Sequence, residues 1–363
     1  GNRRHATKQG RAAFPERSFL SQKAWASGTD TCGGDQMRSL VTGATGFIGG
    51  VLARGLQGRG HAVRVLAFSG EDTAPLEELG MEVRRGDLTD RRSLRGLADG
   101  VDTVYHVAGR VIDWGTRQQF YGAIYDATHN LVQESLGKAS RFVYISSIAA
   151  LGFGRHLKGL KESDPAVKCG IPYCDAKLDT EQLVMAAHLS GTIDASIIRP
   201  SNVIGPGSVW VREIVDKMLS MPVPLIDGGR YSASLISVNN LVDGIMLAGT
   251  LDIAKGKVYH LRDDWDITWK QYLSDLGNLV GKRPAFSVPY PVARAAAWAC
   301  DMVCTPLGIR PPGSRLSIDV TGRDMDVDNT LAKRELGWRT KVSYTEAMDD
   351  IAAWVREHYR TRT

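Results

Sequence analysis

A chain of 363 residues with 43% apolar and 23% charged side chains suits one large domain or two ordinary ones, and this balance excludes disorder, collagen and coiled coil. The formal net charge of +5 is concentrated at the front, where residues 1–36 hold six basic side chains (Arg3, Arg4, Lys8, Arg11, Arg17, Lys23) against Glu16, Asp30 and Asp35. The remainder is close to neutral, so no nucleic-acid partner is expected.

Residues 1–36 follow neither helical nor strand periodicity and contain no hydrophobic signal-peptide core. With no apolar face to offset its ordering entropy, the segment is expected to be a disordered or non-native extension, with a basic targeting or surface-binding arm as the alternative. Folding is expected to begin at Met37. From there strand-like runs are expected at Ser39–Val41, Ala62–Ala67, Met81–Arg84, Thr103–Val107, Phe142–Ile145 and Ala195–Ile198. Helical patterns alternate with them at Ile48–Leu56, Arg92–Leu97, Gln118–Ser135 and Asp175–Leu189. Short connections and regular alternation predict right-handed βαβ units, an α/β fold with a Rossmann-type doubly wound parallel sheet. Beyond Pro200 the pattern loosens. Pro206, Pro222 and Pro224 break a helical run, a strand–helix unit follows at Leu235–Ala248, and a largely helical tail closes the chain. The expected division is a dinucleotide-binding domain over 37–204, with 230–262 adding sheet elements. A smaller, mostly helical C-terminal substrate domain takes 205–229 and 263–363.

Five cysteines (Cys32, Cys169, Cys174, Cys300, Cys304) form no even framework, which reads as reduced thiols in a cytoplasmic protein. Cys300 and Cys304 lie one helical turn apart without a second Cys/His pair, so no metal site is expected. No uninterrupted apolar run is long enough to cross a membrane, the nearest being the region around Val288–Leu307, broken by Arg294 and Asp301.

Two motifs carry chemistry. The first strand ends in Thr42-Gly43-Ala44-Thr45-Gly46-Phe47-Ile48-Gly49-Gly50, with glycines at 43, 46 and 49 between a strand and a helix. Such a turn lets a pyrophosphate approach the backbone at a helix N-terminus. In the second, Tyr173 and Lys177 at i,i+4 share a helix face, 26 residues after Ser147 at the end of an apolar strand. An ammonium beside a phenol favours phenolate and lowers its pKa, as proton transfer alongside hydride transfer requires. A hydroxyl at a strand's C-terminal edge lies in the crevice where such sheets bind ligands.

From Met37 to about Arg356 the chain resembles an extended short-chain dehydrogenase/reductase of the NAD-dependent epimerase/dehydratase superfamily. The resemblance is carried by TGATGFIGG, GDLTD (86–90), VYHVAG (104–109), ISSIAALG (145–152), YCDAK (173–177), IRPSNVIGPG (198–207) and VNNLVDG (238–244). Within the superfamily it is similar to the 3β-hydroxysteroid dehydrogenase-like and dihydroflavonol-reductase-like group, whose C-terminal end DNTLAKRELGW (328–338) and SYTEAM (343–348) resemble. The resemblance implies that Ser147, Tyr173 and Lys177 are the catalytic triad. It implies a cofactor cradle of Gly43, Thr45, Gly46, Phe47, Ile48 and Gly49, with Phe68 and Ser69 at the end of the second strand. Asp87 and Leu88 would flank the adenine, Val107, Ala108 and Gly109 would line the cofactor, and Pro200, Asn202 and Val203 would face the nicotinamide end. Relatives often dimerise through helices such as Gln118–Ser135 and Asp175–Leu189, so a homodimer is a candidate assembly. Two departures stand out. Ile124 occupies a position where the family usually has Asn, which puts a water relay in doubt, and His129 nearby reads as helix surface. Ala67-Phe68-Ser69 holds neither an acid for a ribose 2′-OH nor an Arg for a 2′-phosphate, and Glu71 and Asp72 come late, so NAD and NADP both stay open.

Dehydratases of the superfamily place an acid pair after the catalytic hydroxyl, whereas Ile148 and Ala149 follow Ser147. Epimerases show an Arg where this chain has Ala233-Ser234-Leu235, with Arg212 or Arg230 as substitutes. The apolar Val288–Val303 stretch suggests a pocket wall, a peripheral membrane contact or an ordinary core helix, with Trp114, Trp210 and Tyr231 as further pocket walls. The expected function is interconversion of a secondary alcohol and a ketone on an apolar sterol-, flavonoid- or lipid-like molecule. Sugar-nucleotide epimerisation and a non-catalytic NAD(P)-binding regulator are the alternatives.

Overall fold

The computed structural model describes residues 36–359, so the expectation for 1–36 lies outside the described residues except at Gln36. The described strands in chain order are β1 (Arg38–Thr42), β2 (Ala62–Ala67), β3 (Glu82–Arg85), β4 (Thr103–His106), β5 (Arg141–Ile145), β6 (Asp194–Pro200), β7 (Asn202–Ile204), β8 (Leu225–Ile226), β9 (Leu235–Ser237), β10 (Lys257–Leu261) and β11 (Ser287–Val288). Seven form one parallel sheet in the order β10-β6-β5-β4-β1-β2-β3. Its strand order reverses beside β1, where Thr42 registers with Leu66 on one side and His106 on the other. That switch point opens a crevice at the C-terminal strand ends.

Alternating side chains explain why both faces are covered. On β5, Val143 and Ile145 join one core, whereas Phe142 and Tyr144 join another. The first core is closed by Val51, Leu52 and Leu56 of helix Phe47–Gly58 with Val242, Ile245 and Met246 of helix Val238–Thr250. The second is closed by Leu131, Val132 and Val184 from helices Ala127–Ser135 and Pro172–Leu189. A third core lies in the C-terminal half, where helices Val209–Ser220, Trp269–Leu279 and Tyr344–Tyr359 contribute Val215, Trp269 and Trp354.

Three local expectations change. Arg92–Leu97 forms only a 3-10 turn over Arg91–Leu94, because Gly96 and Gly100 take φ of +77° and +67° and end the helical path. The segment expected as one helix over Gln118–Ser135 contains a π-turn at Gly122–Asp126. Helix Tyr290–Cys304 is no core helix, for only Tyr290, Ala293 and Ala297 are buried. Among the described residues no helix is long and apolar enough to cross a membrane, and Cys169, Cys174, Cys300 and Cys304 are free thiols.

Candidate active site

The glycine turn is shaped for close approach. Gly43 sits at φ +73°, and a Cβ there would lie 2.8 Å from the Ala108 nitrogen. A Cβ on Gly49 would run into the Gly43 carbonyl oxygen. Gly46 precedes helix Phe47–Gly58 without a side-chain cap and without an acid in the first turn, leaving the first amides free for an anion. This cradle fits the diphosphate of a dinucleotide. Phe68 and Ser69 are exposed at the end of β2. The late-coming Glu71 folds back, and its carboxylate accepts the Phe68 amide hydrogen at 2.7 Å. The Arg85 guanidinium is taken by the Phe68 and Glu71 carbonyls and by the Thr73 hydroxyl.

Ser147, Tyr173 and Lys177 converge at the end of β5. Ser147 leads into the turn Ile148–Leu151, and its Oγ accepts from the Ala149 amide at 3.1 Å. Pro172 opens helix Pro172–Leu189 and puts Tyr173 in its first turn, where the phenol is hydrogen-bonded to Ser147. Burial pushes the phenol up to about 12, and the Ser147 bond opposes that rise. Lys177 follows one turn later on the same helix. Its ammonium donates to the Ile145 carbonyl at 2.8 Å and lies 4.8 Å from the centre of the Tyr144 ring. Burial lowers the Lys177 value to about 8, partly countered by the charge of Glu181. Glu181 is itself held by Arg199 at 2.7 Å.

Beside Tyr173 opens a cavity of about 470 Å³. Its apolar wall is made by Trp114, Phe120, Ile171, Pro172, Trp298, Met302, Pro306 and Leu316. Charged side chains also line it, but each is paired. Asp113 meets Arg310 at 2.9 Å, Asp301 meets Arg315 at 3.1 Å, and Arg117 lies 3.9 Å from Asp175. Arg117 also donates to the Tyr121 hydroxyl at 2.8 Å. Trp114 thus joins the wall as expected, whereas Trp210 packs on Trp269 and Tyr231 on His156. Arg212 and Arg230 do not line the cavity, and Arg230 is tied to Tyr231 and Asp227.

The remaining expected residues surround the crevice. Thr45, Ile48, Val107 and Ala108 are half-buried, and Gly109 is exposed near Lys177. Asp87 accepts from the Thr89 amide and hydroxyl, and the Leu88 carbonyl accepts from Asn130 at 2.9 Å. Pro200 ends β6. Asn202 is drawn toward β9, its amide donating to the Ala233 carbonyl at 2.7 Å, and Val203 is buried in the core on which Phe47 packs. His129 is exposed, and Ile124 is buried with its carbonyl accepting from Thr128. The sequence reading missed a buried chain in which the His106 ring bridges Thr42 at 2.7 Å and Thr128 at 2.9 Å. Burial and the nearby Lys177 charge lower His106 to about 3, so it is neutral. A polar His inside VYHVAG, at the end of a buried strand, was the available signal.

Residues 39–261 match the family described as NAD dependent epimerase/dehydratase. The chain is 30% identical over 321 residues to the 4-hydroxy-2-methyl-3-oxo-4-farnesyl-3,4-dihydroquinoline-1-oxide ketoreductase of Stigmatella aurantiaca, covering 87% of this chain and 96% of that protein. It is 27% identical to the 3 beta-hydroxysteroid dehydrogenase/Delta 5-->4-isomerase of Mycobacterium tuberculosis, covering 86% and 89%. Its fold is shared with the UDP-glucose 4-epimerase of Thermotoga maritima, at a TM-score of 0.72 and 21% identity, covering 89% of this chain and all of that one. The chain belongs to the NAD dependent epimerase/dehydratase family and is an NAD-dependent oxidoreductase.

Proposed function

We propose that the protein interconverts a secondary alcohol and a ketone on a mainly apolar small molecule, sterol-, flavonoid- or lipid-like, through Ser147, Tyr173 and Lys177. One observation carries this reading: the cavity against the Tyr173 ring is walled by aromatic and aliphatic side chains, and its charged side chains are already paired. A diphosphate sugar needs uncommitted cationic donors, which the described cavity walls do not offer. The named activities of the ketoreductase and hydroxysteroid dehydrogenase relatives support the same substrate class.

In the reductive direction Tyr173 gives its proton to the substrate oxygen as negative charge develops there, and Ser147 Oγ donates a hydrogen bond to that same oxygen. A phenol raised to about 12 holds its proton at neutral pH, which suits a proton donor to a ketone. Lys177 would hold the ribose next to the nicotinamide. The bound dinucleotide supplies or accepts the hydride. NAD is the favoured dinucleotide, because the Glu71 carboxylate lies at the β2 end, where a ribose 2′-hydroxyl is bound and a 2′-phosphate is repelled.

The test is a panel of apolar ketones supplied with NADH, with absorbance followed at the reduced nicotinamide band. Stoichiometric oxidation of NADH is the expected result. Isomerisation of a uridine diphosphate sugar without net cofactor change would replace this reading with the epimerase one.

A further inference from the structure

Helix Tyr290–Cys304 presents three different faces. Tyr290, Ala293 and Ala297 are buried in the protein, and Trp298, Asp301 and Met302 line the cavity beside Tyr173. The third face is apolar and uncovered. On it Val292 and Val303 are 60% and 62% exposed, and just past the helix end Leu307 and Ile309 are 66% and 55% exposed. Such a stripe at helical spacing ordinarily marks the side turned to a core. Here it carries no unpaired charge, since Arg294 is paired with Asp319 and Asp301 with Arg315. Just before the helix, Phe286 is 57% exposed, preceded by exposed Lys282 and Arg283. Among the described residues neither cation has an ion-pair partner. Six residues lie between Arg283 and Tyr290 and seven between Lys282 and Tyr290, so both cations stay within about 29 Å of the helix start.

We propose that this face docks on an anionic lipid bilayer, with Val292, Val303, Leu307 and Phe286 entering the interface and Lys282 and Arg283 meeting the headgroups. The proposal rests on the apolar-substrate reading and deepens it, for the cavity would then draw substrate from the membrane. Two observations choose a bilayer over a second copy of the chain. Trp298 and Met302 line the cavity and are themselves more than half exposed, so the cavity opens at this face. A bilayer covering that mouth delivers an apolar ligand, whereas a protein partner closes it. The unpaired cations match anionic headgroups.

The full chain is sedimented with vesicles of pure phosphatidylcholine and with vesicles containing one-third phosphatidylglycerol. Binding is expected to the anionic vesicles, weaker at 0.5 M salt and weakened at least fivefold by Lys282→Glu with Arg283→Glu. It should be lost in Val303→Glu with Leu307→Glu, although NAD affinity and melting temperature stay near wild type. The basic residues 1–36 remain in every variant, so that loss assigns binding to the helix. The salt response of the wild type stands independently of how any variant folds. No sedimentation of the wild type, or full sedimentation of the Val303→Glu, Leu307→Glu variant, overturns the proposal. So does a wild-type dimer that the same variant dissociates. Sedimentation needs no turnover: failure of the apolar-ketone panel with vesicle binding intact sinks only the substrate reading, and the reverse result sinks only docking.

Discussion

The Lys177 ammonium donates to the carbonyl oxygen of Ile145 at 2.8 Å, joining helix Pro172–Leu189 to the last residue of β5. This bond satisfies one of three donors on a buried charge, and the ammonium lies close to Gly109. Burial lowers the Lys177 value to about 8, against about 10.4 in an unfolded chain. Between those values the unfolded state binds more protons, so stability rises as pH climbs from about 8 toward 10.4. Below about 8 both states carry the proton and the burial penalty is present in full.

Lys177→Met removes that titration. The dinucleotide-free wild type is expected to gain melting temperature relative to the variant between pH 8 and 10, as read by scanning calorimetry. Hydrogen bonds to charged groups contribute about 1.5–3 kcal/mol, so the variant should bind NAD roughly 10- to 100-fold more weakly. Equal affinity in both proteins would remove Lys177 from the cofactor site.

Tyr173→Phe should lower kcat by about 10²- to 10⁴-fold while changing NAD affinity only a few-fold. Because burial raises the phenol to about 12, alcohol oxidation should accelerate with pH through the alkaline range, whereas ketone reduction should stay flat from pH 6 to 9. Ser147→Ala removes the bond that opposes the rise, so oxidation should suffer more than reduction at a fixed pH. Steady-state profiles in both directions check all three outcomes.

Gly43→Ala is expected to reduce both stability and binding. A left-handed backbone costs an ordinary residue about 1–2 kcal/mol, and at φ +73° the added methyl also presses on the Ala108 backbone. A melting temperature several degrees lower and an NAD dissociation constant at least tenfold higher, by fluorescence titration, are the expected readings.

Glu71→Ala should narrow the preference for NAD over NADP by about tenfold, since it removes the carboxylate that accepts the Phe68 amide. Paired kcat/KM values for the two dinucleotides measure this directly. An unchanged ratio would mean that Glu71 does not meet the ribose.

What could be read from the sequence was what depends on local spacing. Apolar runs located β1, β2 and β5 because strands buried on both faces need continuous apolar side chains. The i,i+4 spacing put Tyr173 and Lys177 on one helix face, and a strand-end hydroxyl pointed to Ser147. Partners brought together by tertiary folding were not legible. Nothing local joins Asp113 to Arg310 or Thr42 to His106, and Lys177 turns toward Ile145, 32 residues away. Glu71 looked too late because residue counting ignores a turn that returns its carboxylate to Phe68. Helix Tyr290–Cys304 was legible as apolar, but small and apolar residues on every side hid which face meets the core.

The π-turn at Gly122–Asp126 sets the phase of the helix that follows it. One extra residue in a turn rotates everything downstream by about 100° relative to an unbroken α-helix. In that rotated frame Thr128 meets the His106 ring and Asn130 reaches the Leu88 carbonyl, while upstream Phe120 stays packed edge-on against Tyr173 at 6.0 Å between ring centres. Deleting a single residue here would let the screw slip by that angle, swinging the Thr128 hydroxyl off His106 and the Asn130 amide off Leu88 while Phe120 kept its seat against Tyr173. The segment works as a coupling between two halves of one rod, one indexed to His106 and Leu88 and the other to Tyr173.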